Sequence, residues 1–481
     1  MTNKIYIALC AAAMALAVSS CGDFLEEKSQ DELIPSSAQD LSELLMGVGY
    51  PWGNDHGIDY LYLMDDNVAA NYDISSESTY TWMSRLFAAF TWQPNMADLP
   101  ETATGLEGEN NSYNLCYTRI MGCNAVLDQI DEASGNTESR NKVKAEALAL
   151  RSYWYFYLIN LYGEPYTDNP QSPGVPLKLK VAIEENSIAR NTVAECYDRI
   201  VSDITEAISL MGSNTGVTTD YHINVPAMYT LLSRYYLYMG QWEKCASAAS
   251  EAIRLNPALL DMTTLSSAFE IPVNSFKNPE TLWQFGNAEY ETYISYDLHF
   301  NLSESLLSCY DAADNRLNVF YSQASRTDWS TGEMAQGFVV YKHDSDWNNV
   351  SPGSAVRIAE AYLNRAEALV RQNKTEAVND INRLRRNRII GYVDVSSVTL
   401  DEVLLERRRE LSFDYPRWFD LRRTNKPAIE HVWKSSATST AVTYTLREND
   451  TMYTLPIPGE SLSHNTALTQ NSSANSGTRA N

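Results

Sequence analysis

Six histidines, His56, His222, His299, His343, His431 and His464, are the side chains best suited to hold a metal or move a proton near neutral pH. No two of them stand at metal-ligand spacing. No serine sits in a glycine-flanked nucleophile elbow. Gly47-Val48-Gly49 lacks the third glycine that a dinucleotide loop needs. Asp344-Ser345-Asp346-Trp347-Asn348 opens like a calcium loop but has no glycine at the sixth position and no glutamate at the twelfth, so it reads as a solvated turn. The 61 acidic residues offer many carboxylate pairs for glycoside hydrolysis, and no spacing singles one out. No catalytic residue, metal or cofactor is therefore expected. The chemistry that remains is recognition by aromatic faces. A ligand packs its apolar face on an aromatic plane, and its polar groups need amide and carboxylate partners nearby. Two regions combine those groups. Residues 65–95 hold Asp66, Asn67, Trp82 and Trp92; residues 280–350 hold Tyr293, Tyr296, Trp329, Trp347 and Asn348. The plainer alternative is that these rings only pack long loops.

Composition fits recognition at a wet surface. Tyr (30) and Trp (10) outnumber Phe (12), so most rings carry a polar handle. A net charge of −24 argues against a nucleic-acid partner, because little here would replace counterions on a phosphate backbone. The N-terminus reads as an export signal: Lys4, an apolar run from Ile5 to Val18, then Ser19, Ser20 and Cys21. That run is shorter than the ~20 residues needed to span a bilayer. Residues 1–20 are thus expected to be a lipoprotein signal peptide, with Cys21 acylated and the chain held to a membrane by its lipid. The alternative is an ordinary signal with an incidental cysteine. The other cysteines of the mature chain (Cys116, Cys123, Cys196, Cys245 and Cys309) are odd in number and unpaired in spacing, which suggests buried thiols rather than a disulfide framework.

Helical periodicity must position these groups. The pattern predicts helices over 37–46, 112–133, 138–162 and 192–211, with Val143, Ala147, Leu150, Trp154, Leu158 and Leu161 forming a buried stripe. Residues 226–257 fit a tetratricopeptide unit, with Tyr236 and Trp242 as interlocking rings, Ser233 and Ala249 as small contacts, and Gly240 at the turn. Such a pair must stack on others, and 112–162 and 354–388 are its partners. Helical period fades from 260 to 350, apart from a short strand near 280–285. Thr399-Leu400-Asp401-Glu402 then forms a capping box for a charged helix.

Five blocks in order resemble the SusD/RagB outer-membrane lipoproteins of Bacteroidetes. They are Cys21-Gly22-Asp23-Phe24-Leu25; Arg151-Ser152-Tyr153 through Tyr162-Gly163-Glu164-Pro165; Arg357 to Ala368 with Asp380 to Arg385; Glu406 to Phe413 with Arg417 to Arg423; and Leu455-Pro456-Ile457-Pro458 with Gln470-Asn471. The charged residues in them (Glu360, Arg365, Glu367, Glu406, Arg407, Glu410, Arg417, Asp420) read as structural pairs at helix contacts. The resemblance implies a mostly α fold: a tetratricopeptide-like helical-pair scaffold with long, loop-rich aromatic insertions. It divides the chain into a signal (1–20), an N-terminal helical region (21–260), a ligand-binding insertion (261–350) and a C-terminal helical region (351–481). It also implies an outward-facing outer-membrane lipoprotein that hands a glycan, or sometimes a peptide, to a TonB-dependent SusC-like transporter as a lid. The rivals are a scaffold that binds only protein partners and a surface glycosidase.

Overall fold

The computed structural model describes residues 35–51, 58–99, 111–182, 187–286, 298–329, 331–343, 353–414, 416–477 and 479. Cys21, Tyr293, Tyr296, Trp347, Asn348 and the acidic run at 344–348 lie outside these residues. Along the chain come helix α1 (Ala38–Val48), strand β1 (Val68–Ala70), α2 (Glu77–Ser84), α3 (Ser112–Leu127), α4 (Thr137–Tyr162) and α5 (Val193–Leu210). The pair α6 (Val225–Tyr238) and α7 (Trp242–Leu255) follows, then β2 (Thr281–Phe285), β3 (Phe300–Leu302), β4 (Tyr321–Thr327), β5 (Met334–Val340) and β6 (Ser354–Arg357). Helices α8 (Ile358–Arg371), α9 (Ala377–Arg386), α10 (Leu400–Leu411) and α11 (Arg417–Thr424) lead to β7 (Ile429–Trp433) and β8 (Val442–Leu446). The fold is helical, with four two-stranded antiparallel ribbons, β1–β3, β2–β6, β4–β5 and β7–β8, among the described residues.

Helices α3 to α8 pack as successive pairs, and α8 lies across α6 and α7. The axis of the core is α4. The expected stripe is broader than its spacing suggests, because every residue from Ala145 to Tyr162 is buried, as befits a helix enclosed on all sides. In the tetratricopeptide-like pair, Gly240 turns the chain at φ +67°, a left-handed value that favours glycine. Ser233 is buried and accepts a hydrogen bond from the Asn364 amide (2.8 Å). Tyr236 and Trp242 depart from expectation. Both are only half-buried, each with a cation over its ring: Lys244 at 5.4 Å and Arg371 at 4.7 Å. Tyr235 is the ring that fills the core. The capping box at α10 forms as read, with Thr399 and Glu402 exchanging side-chain-to-backbone bonds (2.7 and 3.3 Å). Cys116, Cys123, Cys196 and Cys245 are buried free thiols, and Cys309 is half-buried.

The charged blocks become a buried lattice. Arg234 grips Glu360 (2.6 Å), Arg407 grips Asp420 (2.7 Å) and Arg423 grips Glu367 (2.8 Å). Deeper still, Glu410 receives Arg388 and Arg357 at 2.9 Å and Arg316 at 3.2 Å. Lys342 is fully buried against Asp414 (2.6 Å), and burial pushes its ammonium down to about 8 despite that partner. These pairs tie β6, α8, α9 and α10 to the strand region that carries the candidate site.

Candidate ligand-binding face

The β1–β3 ladder pairs Val68 with Leu302, Ala69 with Asn301 and Ala70 with Phe300. It therefore joins the two sequence regions that concentrate rings and polar partners. Beyond β1 the chain enters α2, whose N-cap Ser76 accepts the Thr79 amide. Trp82, half-buried on α2, lies flat against the His299 imidazole, with centroids 4.4 Å apart and planes 19° from parallel. Arg326 of β4 brings Nη1 to 3.5 Å from His299 Nε2. One tryptophan stands clear of the fold: Trp329, in the β4–β5 turn, is 94% exposed. Gly332 allows that turn with φ +75°, and its amide donates to the Asp328 carbonyl (2.7 Å).

Polar lacing holds this hairpin against the β1–α2 segment. The Glu333 carboxylate accepts from the Ser75 amide (2.7 Å) and hydroxyl (2.5 Å), and those bonds hold it below the usual carboxylate range. The Gln336 amide donates to Asp73 (3.1 Å), and the Asn71 amide donates to the Gln336 carbonyl (3.2 Å). Asn301 accepts from the Phe338 amide (2.9 Å). Its side chain lies so close to β5 that a Cβ at position 337 would sit 2.7 Å from its nitrogen, which explains Gly337. The result is a half-buried indole on a buried imidazole, with a half-buried guanidinium and carboxylates nearby and one bare indole at the hairpin turn. No group of three or more His, Cys, Asp or Glu side chains among the described residues gathers to hold a metal.

Trp82 and Trp329 are carried by the elements that meet here, whereas the expected site residues Trp92, Asp66 and Asn67 are engaged elsewhere in the fold. Trp92 is fully buried, donates its indole N–H to the Met64 carbonyl (2.9 Å) and stacks on His431 at 4.4 Å. Its ring fills the core because residues 87–92 dive beneath β7. Asp66 and Asn67 are structural latches. Asp66 pairs with Arg417 (3.0 Å) and Arg408 (3.3 Å), and buried Asn67 accepts from Arg408 (2.9 Å). Burial opposes ionisation of Asp66, yet Arg417 and Arg408 hold it below the usual range. His299 and Arg326 carry no local signal as site residues, since long-range pairing places them: β1–β3 sets His299 near Trp82, and the β4–β5 hairpin brings Arg326 to His299.

Two family models match in succession: one described as starch-binding associating with outer membrane, over residues 23–237, and the SusD family, over 275–473. SusD-like protein P2 of Formosa agariphila is 23% identical, over 85% of this chain and 92% of its own length. A SusD-like protein of Bacteroides ovatus is 22% identical, over 85% and 81%. A Bacteroides vulgatus protein of known structure superposes with a TM-score of 0.73 at 26% identity, covering 92% of this chain and 99% of its own. A laminarin-binding SusD-like protein shares the fold with a TM-score of 0.65 at 18% identity, over 90% and 98%. With both parts of the chain matched in order and the fold shared over nine-tenths of its length, the chain belongs to the SusD/RagB family.

Proposed function

We propose that this protein is an outer-membrane lipoprotein that binds an oligomeric glycan and delivers it, as a lid, to a TonB-dependent SusC-like transporter. The observation that carries the binding role is Trp329, held bare on a laced hairpin beside the Trp82–His299 stack. A bare indole held on a pinned turn offers a rigid apolar face with a polar N–H at its edge, the combination on which a sugar ring can pack. The starch-binding description of the matching family and the laminarin-binding neighbour favour a glycan over a peptide. A peptide ligand is the second reading, since Arg326 and Glu333 would also serve a peptide backbone. A protein partner would also cover an exposed tryptophan, so it is the family descriptions rather than the ring that favour a glycan ligand over a scaffold or a glycosidase.

Calorimetric titration against neutral oligosaccharides and peptides tests the binding role. Removing one stacked ring costs ~1–3 kcal/mol in the nearest calibrated case, base stacking on aromatics. Trp329→Ala and Trp82→Ala should each weaken glycan binding about tenfold while leaving the thermal midpoint of Trp329→Ala unchanged. Binding restricted to peptides, or variants that bind like the parent, would replace this reading. The delivery role rests on family membership and on Cys21. Mild-detergent extracts of outer membranes should yield the chain together with a larger barrel protein, and Cys21→Ala should release it from the membrane fraction. Recovery of the wild-type chain without the barrel would remove the lid.

A further inference from the structure

Helix α2 has a second face. At 100° per residue, Glu77, Tyr80, Thr81 and Ser84 cluster on one side of its axis, and Trp82 points away from them. That second side forms one wall of a groove of about 440 Å³, and the loop at 435–438 forms the other. Hydroxyls line it from both walls: Ser75, Thr81 and Ser84 from one, Ser435, Ser436 and Thr438 from the other. Ser84 and Ser435 also border an adjoining apolar hollow of about 280 Å³, floored by Phe87, Trp433 and Tyr444. There the Phe87 ring lies 5.4 Å from both Trp433 and Tyr444. No Lys or Arg lines either part among the described residues.

The groove is built rather than incidental. Tyr72 pins the start of the loop by donating to the Val432 carbonyl (3.1 Å) and accepting from the Lys434 amide (2.9 Å). Ser436 and Ser439 then close the loop on itself, with the Ser436 amide donating to Ser439 Oγ (3.0 Å) and the Ser439 amide to Ser436 Oγ (3.1 Å). Tyr80, one of the lining residues, stacks nearly parallel to Tyr72 and is only 5% exposed, and its sealed hydroxyl has no hydrogen-bond partner. Leaving a buried hydroxyl unpaired is costly, so one carried by a residue of the groove wall points to a partner supplied from that cleft.

We infer that this groove is a second binding site, separate from the Trp82–Trp329 face, that takes a neutral pyranose unit. The assignment rests on the glycan reading proposed above. An aromatic floor, a rim of hydroxyls that both donate and accept, the Glu77 carboxylate and the lack of lining cations suit an uncharged polyol and disfavour sulfated or uronic sugars. Trp82 points away from the groove-lining side of α2, and Ser84 touches only the groove, so substitutions at Ser84 and at Trp329 each address one site.

Fluorine NMR of the mature full chain carrying 5-fluorotryptophan resolves them, with Trp433 reporting on the groove and Trp329 on the exposed face. The probes are maltotriose, laminaritriose, cellotriose, xylotriose and mannotriose, with trigalacturonate as the charged control. At least one neutral trisaccharide should shift the Trp433 signal saturably. Ser84→Tyr, which fills the groove from an exposed helix position, should weaken that response at least tenfold and leave the Trp329 response alone. Tyr80→Phe should weaken it threefold or more while the melting temperature holds or rises, an outcome that a purely structural tyrosine would not give. A Trp433 signal unmoved by every neutral probe, moved only by trigalacturonate, or indifferent to Ser84→Tyr overturns the groove. A response at Trp433 with silence at Trp329 and no effect of Trp329→Ala would instead remove the first face and leave the groove standing.

Discussion

Glu410→Gln lowers the stability of the folded chain by about 3–5 kcal/mol, the range for breaking a buried ion pair from one side. Glu410 is fully buried, and Arg388, Arg357 and Arg316 converge on its two oxygens. Glutamine keeps the shape but removes the charge, leaving three buried guanidiniums to share Glu280, Asp314, Glu406 and Asp414. The pH dependence carries a sign. Burial works against ionisation of Glu410, yet Arg388 and Arg357 hold its carboxyl far below the ordinary range. A carboxylate held down by the fold stabilises it fully above its unfolded pKa, ~4.3; the contribution starts to decline below that value and is lost only as pH falls on toward the far lower folded value. The gap between parent and Glu410→Gln should therefore be full at pH 7 and narrow below about pH 4. Urea unfolding at both pH values reads it. A gap under about 1 kcal/mol at pH 7 would mean that the lattice is worth no more than surface pairs.

That lattice explains which parts of the molecule were legible in the sequence. Helices α3 to α7, α8 and α10 declare themselves through local signals: the long apolar pattern up to Tyr162, the turn at Gly240 and the reciprocal cap of Thr399 and Glu402. The charged blocks also read correctly as structure, because clustered Arg and Glu on packed helices have few other uses. Long-range pairing leaves no local trace. The β4–β5 hairpin has a faint alternation, because Gln323 and Ser325 are exposed while Ser322, Ala324 and Arg326 on the opposite side are small or polar and only half-buried. The junction of β1 with β3 was invisible for the same reason, and with it His299. In the tetratricopeptide-like pair, position rather than pattern was misjudged: a motif marks where rings fall on a helix, and the next layer decides whether Tyr235 or Tyr236 is covered.

Trp92→Ala should cost about 3–5 kcal/mol of stability and leave oligosaccharide binding at its parental strength. Ring type and neighbourhood alone place Trp92 with Trp82 and Trp329; its surroundings separate it from them. The indole is sealed from water, with His431 sandwiched between it and Phe90 at centroid distances of 4.4 and 4.1 Å. His431 in turn sets its two ring nitrogens against the Phe90 and Asp65 carbonyls (2.6 and 3.1 Å), and burial pushes its imidazole down to about 4. Arg479 donates to the Trp92 carbonyl (2.8 Å), which brings the C-terminal segment onto the same cluster. The backbone of Trp92 is left-handed, with φ +53°, a value a bulky residue adopts only where its surroundings dictate it. Truncation to alanine therefore leaves a cavity beneath β7 and strips the Met64 carbonyl of its donor. Trp92→Phe retains most of the ring and loses mainly that bond, so it should cost less, about 1–2 kcal/mol. Differential scanning of the two variants beside Trp329→Ala, with oligosaccharide titration of each, sorts the rings by role. A Trp92→Ala chain that melts with the parent yet no longer binds sugar would return this tryptophan to the binding surface and leave its burial without a purpose.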